Sequence, residues 1–394
     1  MPAAVATPQA QPIAMQGIAI PAAVVDKNAF FARTRRHVQQ ERSLSFTLGQ
    51  SSRDIIPLRK SDILSEITLH ITGNLTITPG TGSVGSTAAW PYNLIRNVKF
   101  SANGASSLIS ARGWTLRARE IAKDEGLTDR GVAQTIGGAT KTNGSLSLAC
   151  ESWGVGQNTP GLGAQSNVPV DLVLTIPVAE DQFDLSGAIF LQTASAELAV
   201  EIEWANKADL FTLAGNGDVS FSGNVSVQST KFEIPTQNGA IIVPDLSMFH
   251  SLVETNTVAL ANGENEAVIV GQGAGKYVLR VLYQHMNGTV PAPLPLTAAN
   301  FGLQAWRFGT SETPDQWVDG QKLRIAMERA YNSDLGGVQG YGVHEFAKAG
   351  FRDLVDMGVT SDLRLVSQIN SSVTLASPKL WYAVESVYSA GKAA

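Results

Sequence analysis

The sequence predicts an all-β protein made of two similar antiparallel sandwiches in tandem, each interrupted by one short helix. Three observations carry that expectation. Hydrophobic residues make up 44% of the 394 residues and charged residues only 16%, against roughly 25% charge in an average soluble domain. Apolar and polar side chains alternate over many short runs that end in turn-forming pairs. Two helical patterns stand about half a chain apart, in matching places. The composition excludes a disordered chain, which needs more charge and less apolar content, and disfavours coiled coils and long helical bundles. Twenty-nine basic and 34 acidic residues give a net charge of −5, too balanced for a chain that binds nucleic acid over its whole surface.

Residues 1–25 are mostly Ala, Pro, Gln and aliphatics without a charged side chain, the composition of an extended arm. No Lys or Arg precedes their apolar stretch, which Pro12, Gln16 and Pro21 interrupt, so they do not read as a signal peptide. No run of about 18 uncharged apolar residues occurs elsewhere, and synthesis in a cytosol is expected. Residues 26–42 hold Lys27, Arg33, Arg35, Arg36 and Arg42 against Asp26 and Glu41, five minus two or +3. The remainder of the chain then carries 24 basic and 32 acidic groups, or −8. Phe30 and Phe31 precede the arginines along an expected short helix. Composition leaves two readings open: a solvated arm, or an arm laid against an anionic surface, membrane or nucleic acid.

After residue 42 the period becomes two, the spacing that puts alternate side chains on one strand face. Leu44, Phe46 and Leu48 alternate with Ser43, Ser45 and Thr47. Ile67, Leu69 and Ile71 follow, then Leu198, Val200, Ile202 and Trp204, then Val219, Phe221, Val225 and Val227, with Gly223 expected at a bulge. The turn pairs Asn103-Gly104, Asn143-Gly144, Asn238-Gly239 and Asn287-Gly288 punctuate these runs. Short, interrupted strands with polar outer faces predict antiparallel sandwiches rather than a parallel α/β sheet.

Residues 109–125 place Trp114, Ala118 and Ile121 at helical spacing. Residues 314–331 begin with a first-turn proline, Pro314, contain Trp317, and carry Leu323, Ala326, Met327 and Ala330 as an apolar stripe, with Arg324 and Glu328 four apart. The two tryptophans lie 203 positions apart (317 − 114). Both segments follow strands and precede a Gly-rich stretch, the order left by a tandem duplication with its boundary near residues 235–245.

Candidate chemistry is sparse. Cys150 excludes an intrachain disulfide and a multi-cysteine zinc site, and its place after Leu146-Ser147-Leu148-Ala149 suits a small buried hydrophobe. Gly271-Gln272-Gly273-Ala274-Gly275-Lys276 fails as a phosphate loop: Val270 takes the place of the first Gly, Tyr277 that of the Ser or Thr, and a strand follows where a helix is needed. Glu201 and Glu203 stand two apart, as a glycosidase pair could, yet they alternate with inward Ile202 and Trp204. Glu180, Asp181 and Asp184 lack calcium-loop spacing. His37, His70, His250, His285 and His344 offer no helical metal pair, and His344 beside Glu345 reads as a surface pair. No catalytic residue, cofactor or metal is expected.

Ile241-Ile242-Val243-Pro244-Asp245-Leu246-Ser247, leading to Leu252-Val253-Glu254-Thr255-Asn256, resembles the opening of the second jelly roll in tectivirus-type major capsid proteins. The Trp317 segment with Lys322, Arg324 and Arg329, followed by Gly340-Tyr341-Gly342-Val343, resembles a later helix-then-strand segment. Phe100 through Gly126 with Gly113-Trp114, and Ser186-Gly187-Ala188 leading to Trp204-Ala205-Asn206, resemble the first half. The Gly-rich residues 131–168 depart from the family.

The resemblance implies a double jelly roll, two eight-stranded sandwiches with a short inserted helix each: an arm over residues 1–42, a first roll over 43–238 and a second over 239–394. It implies a homotrimeric, pseudo-hexagonal capsomer of an icosahedral shell that encloses a lipid membrane and double-stranded DNA. Partners implied are neighbouring capsomers, vertex (penton) and minor capsid proteins, and the internal membrane, without sequence-specific nucleic-acid binding. The membrane would meet the arm through Lys27, Phe30, Phe31, Arg33, Arg35, Arg36 and Arg42. A competing class, a carbohydrate-binding or glycan-hydrolysing double sandwich, needs an acidic pair in a cleft or an aromatic platform. A spike or vertex protein needs a fibrous or knob segment, and none is evident.

Overall fold

The structure is a computed structural model that describes residues 11–389 except 16–17, 50–52, 88, 103–104, 124–133, 137–138, 142–161, 183–184, 192–197, 288–293, 310–311, 332–334, 339, 349–350, 353 and 375. Cys150, the pairs Asn103-Gly104 and Asn143-Gly144, and most of the Gly-rich 131–168 stretch lie outside the described residues.

Sixteen strands form the two sandwiches. In the first they are β1 (Arg36–Thr47), β2 (Arg53–Pro57), β3 (Ile63–Thr78), β4 (Ile95–Ala102), β5 (Ala105–Ala111), β6 (Gln165–Ile176), β7 (Leu198–Trp204) and β8 (Asp218–Phe232). In the second they are β9 (Met248–Ala259), β10 (Gly263–Gly271), β11 (Lys276–Asn287), β12 (Phe301–Phe308), β13 (Glu312–Trp317), β14 (Tyr341–Glu345), β15 (Asp362–Ile369) and β16 (Pro378–Ser389). The first sandwich pairs them as β6-β3-β8-β1 facing β5-β4-β7-β2. The second pairs them as β14-β11-β16-β9 facing β13-β12-β15-β10. Adding eight to every label of the first order yields the second, so both sandwiches have the same jelly-roll topology. Helix α2 (Gly113–Lys123) follows β5 and helix α3 (Gly320–Tyr331) follows β13, again eight labels apart. The duplication inferred from the order of elements is therefore present in the fold.

Alternation explains the strands. Ile67, Leu69, Ile71, Val200, Ile202, Val219, Phe221, Val225 and Val227 are all fully buried, and one continuous apolar core runs through both sandwiches. Gly223 is not a bulge. It stands in register with Gly73, and a Cβ there would meet the Thr72 carbonyl oxygen at 2.5 Å, so close backbone approach requires the glycine. The irregularity of β8 against β1 falls at Val227/Gln228 instead. Asn238 and Gly239 turn the hairpin of Thr236–Gln237 with Ala240–Val243, both with positive φ, 52° and 78°. That is the two-residue turn their sequence predicts.

The second helix begins later than its pattern predicts. Pro314 and Trp317 lie on β13, an edge strand that tolerates a missing N–H, and Asp319 receives the Lys322 amide at 2.9 Å to start α3. Its inward stripe is Gly320, Leu323, Met327 and Tyr331; Ala330 is exposed. Trp317 is thus no counterpart of Trp114, which α2 buries against Tyr92 at 4.6 Å. The helical reading of residues 26–42 also shortens: α1 covers Lys27–Phe31, and from Arg36 onward the chain is β1.

The joint, the arm and the family

The two sandwiches share a sheet. Strand β5 pairs in parallel with β9, Leu252 opposite Ile109 and Val253 opposite Ser110, which joins eight main strands and the short Val355–Asp356 strand into a nine-stranded sheet. Just past β5, Arg112 grips Glu254 of β9, its backbone N–H donating at 2.8 Å and its Nε at 2.6 Å. The Arg112 guanidinium also lies 3.5 Å from the centre of the Trp381 ring and donates to Gln284 at 3.1 Å. A guanidinium that bridges Glu254 and Gln284 while stacked on Trp381 uses the planar geometry of arginine.

Beneath α2, Glu385 on β16 is fully buried. It accepts from Arg119 of α2 at 2.8 Å, from Arg280 of β11 and from His250 Nε2 of β9 at 2.9 Å. His250 Nδ1 lies 2.8 Å from the Pro177 carbonyl oxygen. Both ring nitrogens thus lie within hydrogen-bond distance of an oxygen atom. Arg280 reaches Glu345 as well. Burial alone would push the Glu385 carboxyl up, but Arg119, Arg280 and His250 hold it well below the usual range. The network ties helix α2, the end of β6 and four strands of the second sandwich, β9, β11, β14 and β16, together.

A smaller apolar cluster lies at the start of β3 and the end of β8, where Phe30 packs with Ile63, Phe232 and the linker residues Ile241, Ile242 and Val243. Phe31 packs edge-on against Phe232 at 5.6 Å between centroids. Asp26 caps α1 by accepting the Asn28 amide at 2.9 Å, and Val25 donates to the Val243 carbonyl at 3.0 Å. Phe30, fully buried, is therefore an anchor of the arm and not a membrane-facing residue. The reason is the hydrophobic stabilisation of about 2 kcal/mol that a buried phenylalanine gains.

Lys27, Arg33, Arg35, Arg36 and Arg42 are exposed, but the fold separates them. Arg36 and Arg42 both belong to β1, about 20 Å apart at the strand rise. Lys27, Arg33 and Arg35 precede β1, and Arg36 begins it. Glu41 points away, fully committed with Lys231 in a buried pair at 2.7 Å; the same Lys231 holds the Arg59 carbonyl at 3.1 Å.

The other sequence candidates are structural pairs. Glu201 binds Arg53 and lies 3.9 Å from Lys99; Glu203 lies 3.6 Å from Arg96. Glu180 and Asp181 meet Lys123 at 2.8 and 3.6 Å. His344 pairs with Asp315 at 3.0 Å rather than with Glu345. Gly271 through Lys276 form the turn into β11. Among the described residues no group of three or more His, Cys, Asp or Glu side chains could hold a metal ion, and no helix is long and apolar enough to cross a membrane. Sequence reasoning weighed His250 only as a metal ligand and missed its cluster with Glu385, Arg119 and Arg280, residues up to 266 positions apart that leave no local motif.

Two sandwiches of one topology fused through a shared sheet define a double jelly roll, the fold of a class of viral coat proteins. Solved structures of that class are similar over most of their length. The major capsid protein of Sulfolobus Turreted Icosahedral Virus matches with a TM-score of 0.62 at 13% identity, covering 90% of this chain and 97% of that one. The Faustovirus major capsid protein matches with 0.56 at 8% identity, covering 90% of each chain. The PBCV-1 virus capsid matches with 0.51 at 9% identity over 91% and 95%. No curated protein sequence matches significantly. The model of the P3 major capsid protein N-terminal family matches residues 2–249, more than half of the chain. The chain belongs to that family: it is a major capsid protein, a structural component of the virion shell that assembles with copies of itself.

Proposed function

We propose that this protein forms homotrimeric, pseudo-hexagonal capsomers of an icosahedral shell enclosing a lipid membrane and double-stranded DNA. The observation that supports this reading is the repeated topology. Two equivalent sandwiches per chain, taken three times around a threefold axis, supply six equivalent units, and a cyclic head-to-tail contact closes the ring. We divide the chain functionally into the arm 1–42, the first roll 43–238 and the second roll 239–394, with residues 36–42 of the arm contributing to β1. Neighbouring capsomers, vertex and minor capsid proteins are the expected partners, with synthesis in the host cytoplasm before assembly. Light scattering on the purified protein should give about 125 kDa, three times the chain mass of 41.7 kDa; a monomer would refute the capsomer.

The arm faces the membrane in this proposal through Lys27, Arg33 and Arg35, with Phe31 beside them, while Arg36 opens β1. Deleting residues 1–42 cannot test this cleanly, because it removes Phe30 and half of β1. Reversing Lys27, Arg33 and Arg35 to Glu leaves the core intact. At about 1 kcal/mol per basic residue near an anionic surface, binding to phosphatidylserine vesicles should fall by roughly 100-fold or more. Unchanged binding by a folded trimer would end the membrane assignment.

A further inference from the structure

The chain uses one strand-edge joint internally and leaves the two halves of a second joint open. Internally, the β5 edge of the first sandwich pairs with the β9 edge of the second. The topological counterpart of β5 is β13, and that of β9 is β1. Among the described residues, β13 pairs with β12 alone and β1 with β8 alone. The second sandwich thus presents an unused copy of the β5 edge, and the first an unused copy of the β9 edge. Unpaired edges can accept another strand; on β13 Pro314 lacks one donor, so an added strand would bond on either side of it.

Both open edges carry exposed aliphatic residues. Val38 on β1 is 57% exposed and Val318, immediately after β13, is 79% exposed. Their charges are opposite. Strand β1 shows Arg36 and Arg42 to solvent, while its one acid, Glu41, is buried against Lys231. Residues 308–320 around β13 include Glu312, Asp315 and Asp319 and no Lys or Arg. In the internal joint the signs are reversed, with the base, Arg112, at the end of β5 and the acid, Glu254, on β9. The reversal discourages cross-pairing: β13 would bring acids against Glu254, and β1 would bring arginines against Arg112.

We propose that β1 of one copy pairs in parallel with β13 of the next, repeating the internal β9–β5 joint between subunits and closing the ring of three. This rests on the trimeric reading above and assigns it a specific seam. Leu252 and Ile109, which face each other internally, are each the fifth residue of their strands. Carrying that register over sets Gln40 opposite Gln316 and Arg36 opposite Glu312. Arg42 then lies near Val318 and Asp319, well away from the membrane-facing arm.

The test uses the full-length chain. With Cys150→Ser as background, Gln40→Cys and Gln316→Cys proteins, whose altered positions face each other in this register, are mixed and oxidised. A band at twice the chain mass from the mixture, absent from either variant alone, is expected. In parallel, Arg36→Glu should weaken the trimer at least tenfold in dissociation constant, and adding Glu312→Arg should restore it, with circular dichroism confirming the fold. Trimeric variants that neither weaken nor cross-link overturn the seam and leave the trimer standing. A monomeric wild-type chain overturns the trimer itself.

Discussion

Replacing Glu385 with Ala should destabilise the protein by about 3–5 kcal/mol, the cost of removing one partner from a buried ionic cluster. Arg119 and Arg280 would be left as neighbouring like charges without the carboxylate they share, and His250 would lose its contact at Nε2. Urea unfolding of the variant should show its midpoint displaced accordingly, and a change below about 1 kcal/mol, within the range of an exposed pair, would mean that the cluster is not a structural tie. Acid should act on the same group. Because the folded carboxyl is held well below its ordinary 4.5, the unfolded chain takes up the proton first. The contribution of Glu385 is therefore complete above about pH 4.5 and is lost as the pH falls through the folded value.

A second acid effect begins at higher pH. His285 on β11 is fully buried, with Nε2 2.9 Å from the Ser367 hydroxyl and the Phe301 ring 4.4 Å away. Burial pushes its imidazole down from 6.5 to about 3, opposed only weakly by the Gly340 backbone contact. Between these values the unfolded chain binds a proton that the folded chain refuses, so stability falls as pH drops below about 6.5. At about 1.4 kcal/mol per pH unit, the loss reaches roughly 2 kcal/mol at pH 5. His285→Leu should unfold more easily than wild type at pH 7 but lose less between pH 7 and pH 5. Identical pH profiles for the two proteins would show that His285 does not carry the effect. The two groups separate by range: His285 acts from pH 6.5 downward, Glu385 only below 4.5.

The sandwich strands were legible because alternation is a local signal: Leu198, Val200, Ile202 and Trp204 read as one buried face and are one. The Asn238-Gly239 turn was legible because its backbone conformation belongs to those two residues. Trp317 was misplaced because Pro314 suits a helix start and an edge strand equally, and only the neighbouring β12 decides between them. Phe30 was misplaced for a related reason. An aromatic beside arginines looks like a membrane contact until Ile63, Phe232 and the linker 241–243 are known to converge on it.

The amino-acid sequence determined by itself that the chain is all-β, duplicated, low in charge and preceded by a basic segment, since period, turn chemistry and composition are properties of neighbouring residues. Only the tertiary structure decided that the two halves share one sheet, that Arg112 and Glu385 lock them, and that among the described residues β1 and β13 each pair on one side only. Those facts depend on which distant strands become neighbours, and pairing across more than a hundred residues is chosen by the shape and charge of whole surfaces rather than by any local pattern.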